Sequence, residues 1–245
     1  MKATMKTTMK TTMKTTAACL AAWLMLGLPA PAADTQSTQY KMVTFYLCLL
    51  VTPASPAKPP ADTAQLQLDH LAHLKSVMAG GKGVIAGPMA GDGRLRGILV
   101  LRVGSMEEAR AIADSDPAVK AGQLAIEIHP WFAADGIMKP VFNPADLATY
   151  YFGFLKKGPK WTPEQTAETR TIQEGHMAHL NESGKTGKLV VAGPLSDAGD
   201  LRGILVYKTA TIAEANAIAA ADPAVKAGRL AVEMHTWYVS KGALP

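Results

Sequence analysis

The sequence is poor in the residues on which several common chemistries depend. It contains two cysteines, Cys19 and Cys48, and only Cys48 lies beyond the N-terminal leader described below. A single cysteine cannot form a disulfide within the chain, so packing has to stabilise the fold. The sequence also lacks a glycine-rich phosphate loop, a Gly-x-Ser-x-Gly motif and a cysteine paired with a histidine. These absences exclude phosphate-loop, serine-hydrolase and thiol chemistry.

The sequence has no long apolar run, and one of its shorter runs lies near the N-terminus. Lysine-containing Met-Lys-Thr-Thr repeats precede an apolar stretch at 17–28 and the small-residue triplet Ala30-Pro31-Ala32. A basic region, an apolar core and a small-residue cleavage site together predict a secretory signal peptide at 1–33. The core is shorter than the about 20 residues of a membrane-spanning helix. We expect a periplasmic or secreted chain with no stable membrane anchor, and an uncleaved anchor is the alternative.

Without this leader the sequence has no large excess of charge of one sign. Residues 1–33 contain four lysines and no acidic residue, so their removal lowers the formal net charge from +5 to +1. Binding to nucleic acid phosphates needs a basic surplus, which the remaining chain lacks. We therefore expect no nucleic-acid partner.

The chain contains a long internal repeat. Five motifs occur twice in the same order, and each pair is separated by 106 positions, as His70 and His176 are. The first copy carries His70–Leu74, Ala86–Pro88, Arg96–Leu99, Asp116–Gly122 and Glu127–Trp131, and the second carries His176–Leu180, Ala192–Pro194, Arg202–Leu205, Asp222–Gly228 and Glu233–Trp237. Solenoid units span roughly 20–50 residues, so this repeat is a duplicated domain. It predicts domains at 40–131 and 146–238, joined by a linker at 132–145.

Both copies have the predicted element order β-α-β-β-α-β. The first copy has predicted strands at 42–51, 84–87, 98–103 and 124–128, the last ending before Pro130, and helices at 62–79 and 105–114. The second has predicted strands at 147–155, 189–192, 204–208 and 231–238 and helices at 163–183 and 211–220.

This order predicts the α+β fold class, with two tandem ferredoxin-like (βαββαβ) domains whose helices cover one face of an antiparallel sheet. The other face of each sheet also needs burial, and two such sheets can bury each other. We expect a pseudo-dimeric α+β barrel within one chain, with a further homodimer left open. The expected core or cleft-wall aromatics are Trp131, Trp237, Phe45 and Tyr151.

With these motifs in this order, the sequence resembles the YCII-related (YciI-like) family of dimeric α+β barrel proteins over residues 41–131 and 147–238. The resemblance implies paired sheets, a cleft and a proposed His–Asp pair. Most members have no assigned substrate, and one branch is associated with dehydrochlorination of a chlorinated hydroxyquinol. Export and tandem fusion depart from the usual small cytosolic member, so a cytosolic substrate is not implied.

The resemblance carries the catalytic pair over to His70 with Asp116 and to His176 with Asp222. A histidine is the natural proton shuttle near neutral pH when a carboxylate fixes its tautomer. The alternative is that the aspartates only cap helices, since Asp-Pro places aspartate at the N-cap and proline at the first helical position.

Other repeated residues are candidate ligand contacts. Arg96 and Arg202 suit an acidic or phenolate ligand, with a salt bridge or a solvated strand end as the alternative. Pro88 and Pro194 follow glycines at strand ends, where backbone can line a pocket without side-chain bulk.

The remaining histidines are weaker candidates. His73 and His179 lie three residues after the proposed catalytic histidines, a spacing that also suits a surface or core-edge histidine. A His-x-x-His pair supplies two metal ligands, whereas zinc sites use three or four protein ligands. His129 and His235 could approach such a site or simply flank the tryptophans. The sequence thus predicts no metal and no cofactor.

Three functions remain open at this level. The first is an exported protein with a small-molecule cleft in each half and lyase- or isomerase-like His–Asp acid–base chemistry on a small aromatic compound. The second is a non-catalytic binding protein that uses the same clefts. The third is a structural or assembly module.

Overall fold

The computed structural model describes residues 40–197 and 199–245, and the predicted signal peptide lies outside these ranges. The first copy comprises β1 (Met42–Val51), α1 (Thr63–Ala79), β2 (Gly83–Pro88), β3 (Leu95–Leu101), α2 (Met106–Asp114), α3 (Pro117–Lys120) and β4 (Ala125–Ala134). The second comprises β5 (Leu147–Lys157), α4 (Ala167–Lys185), β6 (Leu189–Pro194), β7 (Leu201–Tyr207), α5 (Ile212–Ala220), α6 (Pro223–Lys226) and β8 (Leu230–Ser240). No helix in the described ranges is both long and apolar enough to cross a bilayer.

Each copy forms one four-stranded antiparallel sheet. The strand order is β2-β3-β1-β4 in the first sheet and β6-β7-β5-β8 in the second. The first and third strands of each copy are therefore central, and the second and last strands form the edges. The predicted fold class of two tandem ferredoxin-like domains is confirmed.

The inner faces of the two sheets bury each other. Successive side chains of a strand point to opposite faces. One core therefore contains Phe45, Leu47 and Leu49 of β1 together with Tyr150, Phe152 and Phe154 of β5. Cys48 and Leu50 point the other way, into a core with α1 and α2. Burial on both faces explains why β1 is a continuous apolar run rather than an alternating one.

Two tryptophans join the edges of the two sheets. The indole Nε1 of Trp131 on β4 donates to the carbonyl of Gly193 on β6 at 3.2 Å, and Trp237 on β8 donates to Gly87 on β2 at 3.1 Å. Both indoles are 1% exposed, as expected for core aromatics. The two contacts are related by the internal repeat and close the barrel at both edges.

The glycines of the Ala-Gly-Pro motifs are required by this closure. A Cβ on Gly87 would lie 1.9 Å from the carbonyl oxygen of Tyr238, and one on Gly193 would lie 2.1 Å from that of Phe132. A side chain at either position would force the strands apart. The motif was expected only to line a pocket, and the structure adds this second role.

The predicted end of β4 before Pro130 is wrong, because the strand continues to Ala134. The carbonyl of Pro130 accepts a hydrogen bond from Ser196 N of the other half at 3.0 Å. In a strand, the nitrogen and carbonyl of one residue point to the same side, so the proline nitrogen faces away from β1. No ladder bond is lost, as is usual for proline in an edge strand. β4 also extends into the segment predicted as linker.

The predicted start of α4 at Pro163 is also wrong. Thr166 is the N-cap, and it forms a capping box with Thr169, so the helix begins at Ala167. In the first copy the expected cap is confirmed, since the Asp62 carboxylate accepts from Gln65 N at 2.7 Å. The other predicted strands and helices are present, with ends shifted by a few residues.

Substitution of Gly87 should test the closure. Gly87→Ala places a methyl group against the backbone of β8, and such overpacking lowers the free energy of unfolding by roughly 1–3 kcal/mol. Gly93→Ala is the matched control, because a Cβ there meets nothing within 4 Å. Urea denaturation should show a lower midpoint for Gly87→Ala alone. Equal midpoints would contradict the proposed contact.

Candidate functional site

Helix α1 places His70 on the side that packs on the first sheet. Leu74 and Met78 are the buried residues of this helix. His70 precedes Leu74 by one turn and therefore lies on the same side. In α4, His176 has the same relation to the buried Leu180. The apolar stripe that anchors each helix thus also directs its histidine inward.

Asp116 is the N-cap of α3, as the Asp-Pro dipeptide predicts. Its Oδ1 accepts a hydrogen bond from the backbone N of Ala118 at 2.8 Å. Gly122 follows the helix in the left-handed conformation with φ of 66°, which glycine adopts without steric cost. Asp222 caps α6 in the same way. The repeated motif therefore builds a single helical turn that holds the aspartate in place.

The second oxygen of each aspartate contacts the histidine. Asp116 Oδ2 lies 2.7 Å from His70 Nδ1, and Asp222 Oδ2 lies 2.6 Å from His176 Nδ1. Each aspartate therefore caps a helix and holds a histidine at once. An ionised carboxylate only accepts hydrogen bonds, so Nδ1 carries the shared proton in each pair, and in His70 Nε2 is then the nitrogen that can accept a proton. This is the arrangement of a base held by an orienting carboxylate.

The two pairs differ in burial. The side chain of His70 is 12% exposed and that of His176 is 1% exposed. Gly175 contributes to this difference, because a Cβ there would lie 3.1 Å from Pro223 Cγ. The equivalent residue of the first copy is Asp69. The glycine thus leaves room for Pro223 beside the helix that carries His176.

Each histidine lines a cavity between its long helix and the outer face of its sheet. The first cavity has a volume of about 570 Å³ and the second about 330 Å³, both within the usual range of small-molecule sites. Equivalent positions line both cavities, namely Thr63 with Thr169, Leu66 with Ile172, Gln67 with Gln173, His70 with His176, Arg96 with Arg202, Ala118 with Ala224, Gln123 with Arg229 and Leu124 with Leu230.

The segment between the domains walls the first cavity. Phe142 and Pro144 of this segment line it together with Leu147 and Ser240 of the second domain. The backbone N of Asn143 donates to Ser240 Oγ at 2.7 Å, which fixes the segment there. Among the described residues the second cavity has no equivalent wall, because the connection between domains occurs once in the chain.

The remaining predicted contact residues divide into two groups. Arg96, Arg202 and Pro88 line the cavities, whereas Pro194, His73 and His179 are not among the described residues that line them. The Nε2 atoms of His73 and His179 are buried with no hydrogen-bond partner in the described structure. Burial lowers the pKa of His73, and the nearby Asp116 carboxylate opposes this effect. His73 is thus held towards its neutral form beside the candidate pair.

Sequence reasoning missed several residues of the second cavity. Arg170, Arg229 and Trp161 all line it. The signal that could have revealed one of them is the position directly after the repeated Asp-Pro-Ala-Val-Lys-Ala-Gly motif, where the first copy has Gln123 and the second has Arg229. A difference between copies inside an otherwise identical stretch points to divergence of the site.

The other titratable residues considered from the sequence lie away from both cavities. His129 Nδ1 lies 2.5 Å from Asp197 Oδ2 of the other half, and His235 Nε2 lies 2.8 Å from Glu233 Oε1. Among the described residues, no three histidine, cysteine or acidic side chains are placed to hold a metal ion. Burial raises the pKa of Cys48 to about 12, so this thiol stays protonated.

Comparison with known families agrees with this geometry. The sequence pattern of the YCII-related domain matches the chain twice, over residues 44–132 and 156–237. The chain belongs to the YCII-related family. Each match contains one His–Asp pair, and the second match begins near the end of β5. No curated protein matches the sequence.

Solved structures with similar folds include a mutant chlorite dismutase from Candidatus Nitrospira defluvii (TM-score 0.56, 9% identity, 83% of this chain and 93% of that chain). A heme-binding protein from Thermus thermophilus is also similar (TM-score 0.52, 10% identity, 82% and 93%). At these identities the likeness shows the fold alone. A 5-chloro-2-hydroxyhydroquinone dehydrochlorinase from Burkholderia phenoliruptrix AC1100 covers 36% of this chain and 93% of its own at 23% identity, with a TM-score of 0.27.

Removal of one of these aspartates should lower the free energy of unfolding more than removal of an ordinary N-cap residue. Asp222→Ala deletes a helix cap, worth about 1 kcal/mol, and leaves a buried imidazole donor unpaired, which costs a further 1–3 kcal/mol or so. Thr211→Ala is the control, because Thr211 caps α5 of the same domain and its replacement deletes only a cap. Urea unfolding should therefore show the larger loss for Asp222→Ala. Equal losses would mean that the histidine contact contributes nothing.

Proposed function

We propose that each half of the chain binds a small molecule in its cavity and that the His–Asp pair transfers a proton to and from it. The observation that carries this proposal is that a histidine held by a buried carboxylate lines a ligand-sized cavity at equivalent positions in both copies. The predicted leader supports a periplasmic or secreted location for this activity.

The chemistry follows from the orientation of the imidazole. With Nδ1 donating to the aspartate, Nε2 accepts a proton from an acidic carbon or oxygen of the bound molecule, and the aspartate stabilises the imidazolium that forms. The proton then returns to a different atom of the molecule, which is an isomerisation. If a leaving group departs with its electron pair, the step is an elimination. Arg96 or Arg202, on the wall of the same cavity, would stabilise the anion that develops.

A small phenol or aromatic acid fits the first cavity in particular. Its lining is mostly leucine, isoleucine, proline and phenylalanine, with one arginine and one histidine as the ionisable groups. An aromatic ring suits these walls, and a phenolate or carboxylate suits the arginine fork. These features support lyase- or isomerase-like chemistry on such a compound over a purely structural role, which would not need the cavity.

Deuterium exchange should test proton transfer even while the full reaction is unidentified. Small phenols and aromatic acids in D₂O would be followed by proton NMR for loss of carbon-bound hydrogen. The double variant His70→Gln/His176→Gln should exchange roughly 10²–10⁴ times more slowly, the usual contribution of a general base. The control His73→Gln/His179→Gln keeps the pairs intact and should exchange at the parent rate.

Two results would overturn the proposal. If the His70/His176 double variant exchanged as fast as the parent, the pairs would not be the base. If compounds bound in the cavities but none exchanged hydrogen in the parent protein, the chain would be a small-molecule-binding protein that uses the same clefts.

Haem binding is a second candidate, for the first cavity alone. His70 lines this largely apolar cavity with its Nδ1 held by a carboxylate, as is common for metal-ligating histidines. The second cavity does not fit, because it is smaller and three arginines line it. His70 would hold the iron, which would supply redox chemistry.

Titration with hemin should decide this point. Haem ligation by His70 predicts a shifted Soret band with one equivalent bound, and His70→Gln should abolish the shift while His176→Gln should not. A spectrum that His70→Gln does not change would exclude the candidate and leave the acid–base interpretation in place.

A further inference from the structure

We infer that the two clefts take ligands of different charge. The second takes a small molecule with two acidic groups, and the first takes a largely apolar molecule with one acidic group. The inference rests on the proposed function only in treating both cavities as ligand sites, and it does not depend on catalysis.

Two positions of the internal repeat account for the difference in charge. The counterpart of Ala64 in the first copy is Arg170 in the second, and Gln123 corresponds to Arg229. At a third position both cavities have an arginine, which is Arg96 in the first and Arg202 in the second. The second cavity therefore has three arginines where the first has one.

The charge of Arg229 is not needed for the structural task of its position. Arg229 donates to the backbone carbonyl oxygen of Thr162 at 2.8 Å and to Thr162 Oγ1 at 3.0 Å. These bonds hold the loop before α4 against the segment that precedes β8. Gln123 ties the equivalent loop of the first copy by donating to Ala57 O at 2.9 Å. A neutral amide side chain makes the equivalent contact in the first copy. The positive charge of Arg229 is therefore not required for that contact and is an additional feature of the second cleft.

The arginines of the second cleft lack carboxylate partners. Within the described residues, Arg170, Arg202 and Arg229 form no ion pair within 4.0 Å, whereas other arginines of the chain, such as Arg94, do. Glu164 is the acidic side chain on this cavity wall. An arginine guanidinium suits a carboxylate through two parallel hydrogen bonds. The wall of the second cavity thus has three guanidinium groups and one carboxylate, a formal excess of two positive charges. This excess favours a ligand with two negative charges.

Arg202 is also positioned by its surroundings. Its guanidinium lies 5.7 Å from the ring centroid of Trp161, and Lys157 Nζ lies 4.5 Å from the same ring. Such stacking holds a cation without neutralising it. Trp161 belongs to the loop that differs most between the copies, so this arrangement has no counterpart in the first cleft.

The first cleft has the opposite character. It is larger, and the interdomain segment adds Phe142 and Pro144 to walls already rich in leucine. Among the described residues that line it, Arg96 is the single arginine or lysine and none carries a carboxylate side chain. An apolar body with one acidic group matches this wall, because burial of aromatic surface and one arginine contact then account for binding.

Isothermal titration with two probes should test the assignment on the full chain. Isophthalate carries two carboxylates, and 1-naphthoate has a larger apolar body and one carboxylate. We expect one site for each probe. Arg170→Ala/Arg229→Gln should weaken isophthalate roughly tenfold or more, the effect of losing charge-assisted hydrogen bonds, and should leave 1-naphthoate unchanged. Lys185→Gln, an exposed charge outside the cavity, controls for long-range electrostatics.

The reciprocal variant makes the test independent of lost folding. Ala64→Arg/Gln123→Arg should create a second isophthalate site and weaken 1-naphthoate. Three results would overturn the inference: isophthalate binds both clefts of the parent protein equally, it fails to bind at millimolar concentration, or it binds the arginine variants as tightly as the parent. Binding as expected with no deuterium exchange would refute the catalytic proposal alone, and exchange without a charge preference would refute only this inference.

Discussion

The two sheets of this chain bury each other's apolar inner faces. A four-stranded sheet with helices on one side exposes an apolar face, and the chain covers that face with its own second copy. The contact is tight enough that Gly87 and Gly193 have no room for a side chain. Both histidine-lined cavities lie on the outer, helix-covered faces of the sheets.

A single carboxylate links the fold to the candidate chemistry. Asp116 and Asp222 each use one oxygen to begin a short helix and the other to hold a histidine. The structural requirement for the cap therefore keeps the carboxylate in place for the imidazole. This dual use explains why capping and a site role could not be separated from the sequence, since both need the same residue at the same position.

Duplication within one chain allows the two sites to differ. In a symmetric dimer the two clefts would have identical walls, whereas here each wall is encoded separately. The interdomain segment closes only the first cleft, and the arginines at 170 and 229 occur only in the second. The frame that positions the His–Asp pairs is nevertheless the same in both copies, so the residues that differ between the clefts are separate from the pairs.

The repeat and the βαββαβ order could be predicted from the sequence, because they depend on local patterns such as apolar periodicity, caps and a constant spacing. The Asp-Pro dipeptides indicated the helix caps, whereas the pairing of each aspartate with a histidine was implied only by the resemblance to the YCII-related family. The sequence could not place Pro130 inside a strand. A strand accepts that proline only because its nitrogen lies on the side of β4 that faces the other half, away from β1. Nor could the sequence explain Gly87, whose partner Tyr238 lies far away in the sequence. The sequence also did not show which residues line the clefts, because Arg170, Arg202 and Arg229 come together only when α4, β7 and the segment before β8 pack against one another. The side chains that surround each histidine were therefore placed by packing between elements that are distant in the sequence.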